Sequence, residues 1–263
     1  MGSDNRVFQD IKNEIKSALK TKTGWDSLTG YRDIMGKGLA QKECDRIVAL
    51  IRERCSSCDL FKGNTEKHRG KTRGTMRKVI EKRTKPEDIL ERILVGSVNN
   101  LYNRFNFLSG LTRKKYDHKV KHMTIDLVES SNGKTIDKII ELKCGSNQKD
   151  SPLSAIFEGI MYYFLYKEAR EIDVRLPSIK GDCGIFVMAP FDYFDFWNKD
   201  IRGAESALGK AGSMMAKAIR EKDKNKGTLV GFEKIGISDN TAKMVSGVIG
   251  SIEAGYKKRI KIC

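Results

Sequence analysis

Residues 118–145 read HKVKHMTIDLVES, then SNG, then KTIDKIIELKCG, and this stretch decides the fold. Both flanking segments are rich in β-branched and other apolar residues. The Asn132-Gly133 pair between them is a strong short hairpin signal, because a tight turn needs residues that accept positive φ. Two antiparallel neighbours follow, at 118–130 and 134–145. Strand side chains alternate between faces. Met123, Ile125 and Leu127 are therefore expected toward a core, with Thr124 and Asp126 on the other side. In the second strand Ile140 and Leu142 share one face, and Glu141 with Lys143 the other.

The hairpin makes Asp126 and Glu141 neighbours, with Lys143 one step further along the same face. Charged groups on apolar strands are costly unless they are paired or bound to something. Two carboxylates and a backbone carbonyl, that of Leu142, are hard oxygen ligands suited to Mg²⁺. Such an ion lowers the pKa of a bound water and offsets charge building on a phosphate oxygen. Lys143 would orient that water or stabilise the developing phosphate charge. The alternative is a plain hairpin whose Asp126, Glu141 and Lys143 form solvated cross-strand ion pairs.

An acid on one strand followed by Glu141-Leu142-Lys143 on the next resembles the PD-(D/E)xK nuclease superfamily, which includes many restriction endonucleases and the lambda-exonuclease-like enzymes. The resemblance spans residues 86–190 and runs helix, hairpin, helix, strand in the family's order. It implies an α/β fold with a restriction-endonuclease-like core, a central mixed sheet flanked by helices, here with extra N- and C-terminal helices. It implies that Asp126 and Glu141 bind Mg²⁺, with Mn²⁺ able to substitute, and that Lys143 assists catalysis. The lambda-exonuclease-like branch often carries Q-x-x-x-Y on the following helix, where this chain has Glu158-Gly-Ile-Met-Tyr162. The i,i+4 spacing puts Glu158 and Tyr162 on one helix face. Glu158 is thus a further catalytic candidate, although glutamate stands where that branch has glutamine. The family often adds an acid from the preceding helix, which Glu91 or Glu87 would supply, Glu91 being taken as the metal ligand. Ile125 stands where a proline often precedes the first acid.

E-x-K by itself carries no information. Glu14-Ile15-Lys16 is a second copy, on an amphipathic helical pattern without an acidic strand before it, and reads as a solvated helix face. Around the hairpin, apolar spacing predicts helices over 5–20, 39–54, 86–107, 152–170, 202–222 and 240–258. Thr84-Lys85-Pro86-Glu87 has capping-box form, and Ser151-Pro152 caps the next helix. Gly24–Gly38 reads as a connection. Strands are expected at 184–189 and near 228–237. The aromatics of 191–197 read as core, with base stacking the alternative. Three regions result: helical 1–85, a nuclease core 86–200, and an α/β extension 201–263 packed on the same domain.

Fifty Lys and Arg against 34 Asp and Glu give +16, which favours a polyanionic partner through counterion release. From Lys67 to Lys85 nine basic residues face one acid, Glu81. Arg69, Lys71, Arg73, Arg77 and Lys78 are the candidate nucleic-acid contacts there, with a solvated face the alternative. No apolar run is long enough to span a bilayer, and the charged N-terminus lacks a signal-peptide core. These features predict a cytoplasmic protein (nucleoid-associated in a bacterium) without membrane contact. The six cysteines then read as thiols, with zinc at Cys44, Cys55, Cys58 and His68 the minor alternative. His118 and His122 read as exposed. The resulting expectation is a Mg²⁺-dependent endonuclease acting on DNA, of restriction type and compatible with a homodimer. RNA is the lesser substrate, and a non-catalytic nucleic-acid-binding protein is the alternative.

Overall fold

The computed structural model of the chain describes residues 4–19, 24–57, 86–105, 124–144, 150–174, 176–223, 227–236 and 260–262. The elements are α1 (Asp4–Ala18), α2 (Leu28–Lys37), α3 (Gln41–Ser57), α4 (Pro86–Ser97), β1 (Leu101–Phe105), β2 (Ile125–Glu129), β3 (Thr135–Leu142), α5 (Pro152–Ile172), β4 (Ser178–Pro190), α6 (Phe191–Asn198), α7 (Ala204–Asp223), β5 (Leu229–Ile235) and β6 (Ile260–Ile262). The six strands form one mixed sheet in chain order. The β1–β2, β2–β3 and β5–β6 pairs are antiparallel, and β3–β4 and β4–β5 are parallel. Parallel neighbours need crossovers, which α5 and α7 provide. The fold is α/β. No helix among the described residues is long and apolar enough to cross a membrane.

The turn between β2 and β3 follows its sequence. Gly133 takes φ 69°. The Asn132 side-chain oxygen accepts from the Lys134 and Thr135 N–H groups at 2.8 Å, closing the bend locally. On one sheet face the core gathers Ile139, Ile185 and Val187 against Ile156, Ile160 and Tyr163 of α5 and Leu208 and Met215 of α7. Helix α3 lies outside α5 and α7 and packs on both. The other face buries Leu127, Ile140, Leu142, Phe186 and Met188 beneath Leu90, Leu94 and Val95 of α4. β4 is covered on both faces, hence its continuous run Ile185–Ala189.

Helix α5 is apolar almost all round because it sits between the sheet and the outer helices. Ser151 caps it, accepting from the Ser154 N–H at 3.1 Å, and Pro152 occupies the first turn, where its missing N–H costs nothing.

Several boundaries differ from the sequence expectation. The helix expected over 86–107 stops at Ser97, and 101–105 is strand β1. Leu101 and Phe105 belong to a strand pattern, and Asn99-Asn100 marks the break. The Gly24–Gly38 connection contains α2, capped by Ser27, whose side chain accepts from Gly30 N–H at 3.1 Å. The strand expected at 184–189 starts at Ser178, because its first residues pair with β3 at Thr135 and Ile136. Residues 191–197 lie in α6, with Tyr193, Phe194 and Trp197 in the core, as read. The 201–263 region adds β5 and β6 to the same sheet. The helix expected at 240–258 lies outside the described residues, as do Arg69, Lys71, Arg73, Arg77, Lys78, Cys58, His68, His118 and His122.

Gly212 fixes how closely α7 approaches β5: a Cβ there would meet the Val230 carbonyl oxygen at 2.6 Å. Backbone cannot swing aside as a side chain can. Gly212→Ala should therefore destabilise the fold by about 1–3 kcal/mol despite alanine's better helix propensity. Urea unfolding measures this, and an unchanged midpoint would refute the tight α7–β5 contact.

Candidate active site

The site begins where β2 and β3 stop pairing. Their last partners are Leu127 and Ile140. One step beyond, the same register sets Asp126 opposite Glu141. There the Leu142 N–H is taken by the Asp126 carboxylate at 3.0 Å rather than by β2 backbone. On its other edge β3 continues along β4, with Lys143 N–H donating to Met188 O at 2.9 Å. Successive residues of a strand direct their backbone groups to opposite edges. The Leu142 carbonyl therefore points toward β2, the side on which Asp126 stands.

Ile140 and Leu142 join the core beneath α4, whereas Glu141 and Lys143 project toward α5, as alternation requires. β2 is less regular. Ile125 and Leu127, two residues apart, enter opposite core clusters, so the strand turns over at Asp126. This departs from the simple alternation expected of Met123, Ile125 and Leu127.

Glu141 and Lys143 are only 4% and 5% exposed. Lys143 Nζ donates to Glu141 Oε1 at 2.7 Å and stands 3.8 Å from Glu158 Oε2 on α5. The second oxygen of Glu141, Oε2, is buried without a hydrogen-bond partner. Asp126, Glu141, Lys143 and Glu158 are thus brought together, and Tyr162, one turn along α5, borders them closely enough to feel all four charges. The solvated alternative is absent at this end of the hairpin. At the other end Lys138 Nζ bonds its cross-strand partner Glu129 at 2.9 Å, a cross-strand ion pair that is itself largely shielded.

The two acids expected from helix α4 have different surroundings. Glu91 is buried and accepts from Asn103 Nδ2 of β1 at 2.7 Å. Glu87 is the α4 carboxylate whose charge acts on both Asp126 and Lys143. Asn103 could not be foreseen as Glu91's partner once 101–105 had been read as helix. The other E-x-K copy lies on α1, where Ile15 is buried and Glu14 pairs with Arg54 of α3. Cys44 and Cys55 are buried thiols within the core, outside any disulfide, and Cys55 Sγ donates to Met161 O at 3.7 Å.

Burial raises the Asp126 carboxyl to about 7, with the charges of Glu87 and Glu158 adding to the rise and Lys143 and the Leu142 N–H opposing it. Burial, then Asp126 and Glu158, push Glu141 well above the usual carboxylate range. Burial alone would lower Lys143, but Glu141, Glu158, Asp126 and Glu87 outweigh it and hold the ammonium charged.

The donor set fits a small divalent cation. Asp126 and Glu141 are neighbouring carboxylates, the Leu142 carbonyl faces the same side, and Glu141 Oε2 is a buried oxygen needing a positive partner. Among the described residues no three His, Cys, Asp or Glu side chains stand together as a complete ion-holding group, so a backbone oxygen and water would complete the shell. Comparison of the chain with family models, with curated proteins and with solved structures gives no match.

The raised acids have a consequence for stability. A carboxyl of about 7 in the fold, against 3.8 when unfolded, makes the folded state bind more protons between those values. In EDTA, stability should therefore fall as pH rises from about 4 to 7. Asp126→Asn keeps an oxygen for the Leu142 N–H and removes the titration, so its melting temperature should vary less over that window. An equal pH slope in wild type and variant would contradict the assignment.

Proposed function

We propose that this chain is a Mg²⁺-dependent nuclease that hydrolyses DNA phosphodiester bonds, with a restriction-endonuclease-like core. The observation that carries the reading is the meeting of half-buried Asp126 with buried Glu141 and Lys143 where β2 and β3 part, with Glu141 Oε2 lacking a partner. The order α4, β1, β2–β3 hairpin, α5, β4 keeps the helix, hairpin, helix, strand sequence that the PD-(D/E)xK resemblance implies, with β1 added between the helix and the hairpin.

Each residue then has a task. Asp126 and Glu141 would hold the ion, with the Leu142 carbonyl beside them. Bound there, Mg²⁺ would acidify a water and offset charge on a phosphate oxygen. Lys143 occupies one oxygen of Glu141 and so leaves the other for the cation. Its ammonium, kept charged by the surrounding acids, is a donor for a phosphate oxygen. Glu158 holds Lys143 from the α5 side. The surplus charge of +16 supports a polyanionic substrate. Glutamate rather than glutamine at 158 sets the chain apart from the exonuclease-like pattern and favours internal cutting.

Purified protein with supercoiled plasmid tests this. Nicked and linear products should form in Mg²⁺ and not in EDTA. Asp126→Ala and Lys143→Ala should each lower the rate by about 10²–10³. Wild type and variants cutting alike would remove the cluster as the site. Mg²⁺-independent binding without cleavage would favour the non-catalytic reading, and cleavage of RNA alone would reassign the substrate.

A further inference from the structure

A narrow cleft between α1 and α5 adjoins the acidic cluster. Its enclosed part has a volume of ≈ 10 Å³, room for about one water. Trp25, Phe157 and Met161 give it apolar walls. The hydroxyl of Ser154, a residue 1% exposed, lines it without a hydrogen-bond partner. Of the lining residues only Lys12 and Glu158 reach solvent, so they mark its mouth. Glu158 is also the residue 3.8 Å from Lys143, so the mouth shares Glu158 with the acidic cluster.

Lys12 is placed there by its helix. Ile11 and Ile15 are buried, which turns Lys12 along the edge of that apolar stripe. Trp25 Nε1 donates to the Lys12 carbonyl at 3.4 Å and ties this turn of α1 to the cleft wall. Among the described residues the Lys12 ammonium has neither a hydrogen bond nor an ion pair, and Glu158 leans to Lys143 instead. A half-buried, uncompensated cation over apolar walls is poorly screened, so it attracts an external anion strongly.

We propose that Lys12 is a substrate-positioning residue that contacts a DNA backbone phosphate flanking the one held at Asp126 and Glu141. The proposal rests on the nuclease reading and extends it by giving the N-terminal helix a role in seating the strand. Glu158 at the mouth would repel an incoming phosphate, and among the described residues lining the cleft Lys12 is the cation that offsets it.

The test uses the full chain and a fluorescein-labelled DNA duplex. Anisotropy titrations in EDTA over a salt series compare wild type with Lys12→Met, Lys12→Arg and, as a remote control on α7, Lys217→Met. Lys12→Met keeps the aliphatic stem against Trp25 while removing the charge. It should weaken binding by about threefold to tenfold and lower the slope of log K against log salt by about one, with Lys12→Arg restoring both. In Mg²⁺, KM for cleavage should rise while kcat stays within about twofold. A Lys12→Met slope and KM equal to wild type, or a loss no larger than that of Lys217→Met, would overturn the proposal. Failure of wild type to cleave in Mg²⁺ would instead overturn the nuclease reading, while the salt slope would still report whether Lys12 meets phosphate.

Discussion

The structure turns on one hydrogen bond that replaces another. Past Leu127 and Ile140 the two antiparallel strands no longer exchange backbone bonds, and the Asp126 carboxylate takes the Leu142 N–H. A buried N–H must find an acceptor, and at the end of the ladder the Asp126 carboxylate supplies it. The same divergence leaves the Leu142 carbonyl facing the gap. Everything chemical in the site follows from strands that part while still covered on both faces.

Cover is what perturbs the charges of the cluster. β3 is held on its far edge by β4 and roofed by α5, so Glu141 and Lys143 are nearly inaccessible although they sit near a strand end. Removing two carboxylates from water raises their proton affinity, and one lysine cannot neutralise four neighbouring acids. The apo centre is therefore held at an energetic cost that a divalent cation would relieve. Gathering like charges in this way works against stability.

Much of this could be read from residues alone. Asn132-Gly133 placed the turn, alternation placed Glu141 and Lys143 on one face, and Ser151-Pro152 placed the start of α5. These are local rules with one strong solution each. Other features depended on partners distant in the chain. β1 looked helical because Leu94, Val98, Leu101 and Phe105 keep helical spacing, and only pairing with β2 distinguishes the strand. Glu87 and Glu91 share a helix face one turn apart, so the choice between them rests on Asn103, which captures Glu91. The twist of β2 at Asp126 likewise comes from packing, Ile125 being drawn with Phe105 toward α5.

The parallel block β3–β4–β5 carries a consequence for synthesis at the ribosome. The hairpin bearing Asp126, Glu141 and Lys143 emerges first, but its roof and its far edge come from α5 and β4, which end at Ile172 and Pro190. A chain shorter than this lacks Glu158 and the cover that buries Glu141 and Lys143. The cluster of Asp126, Glu141, Lys143 and Glu158 therefore comes together only after the crossover helix has packed back over the sheet.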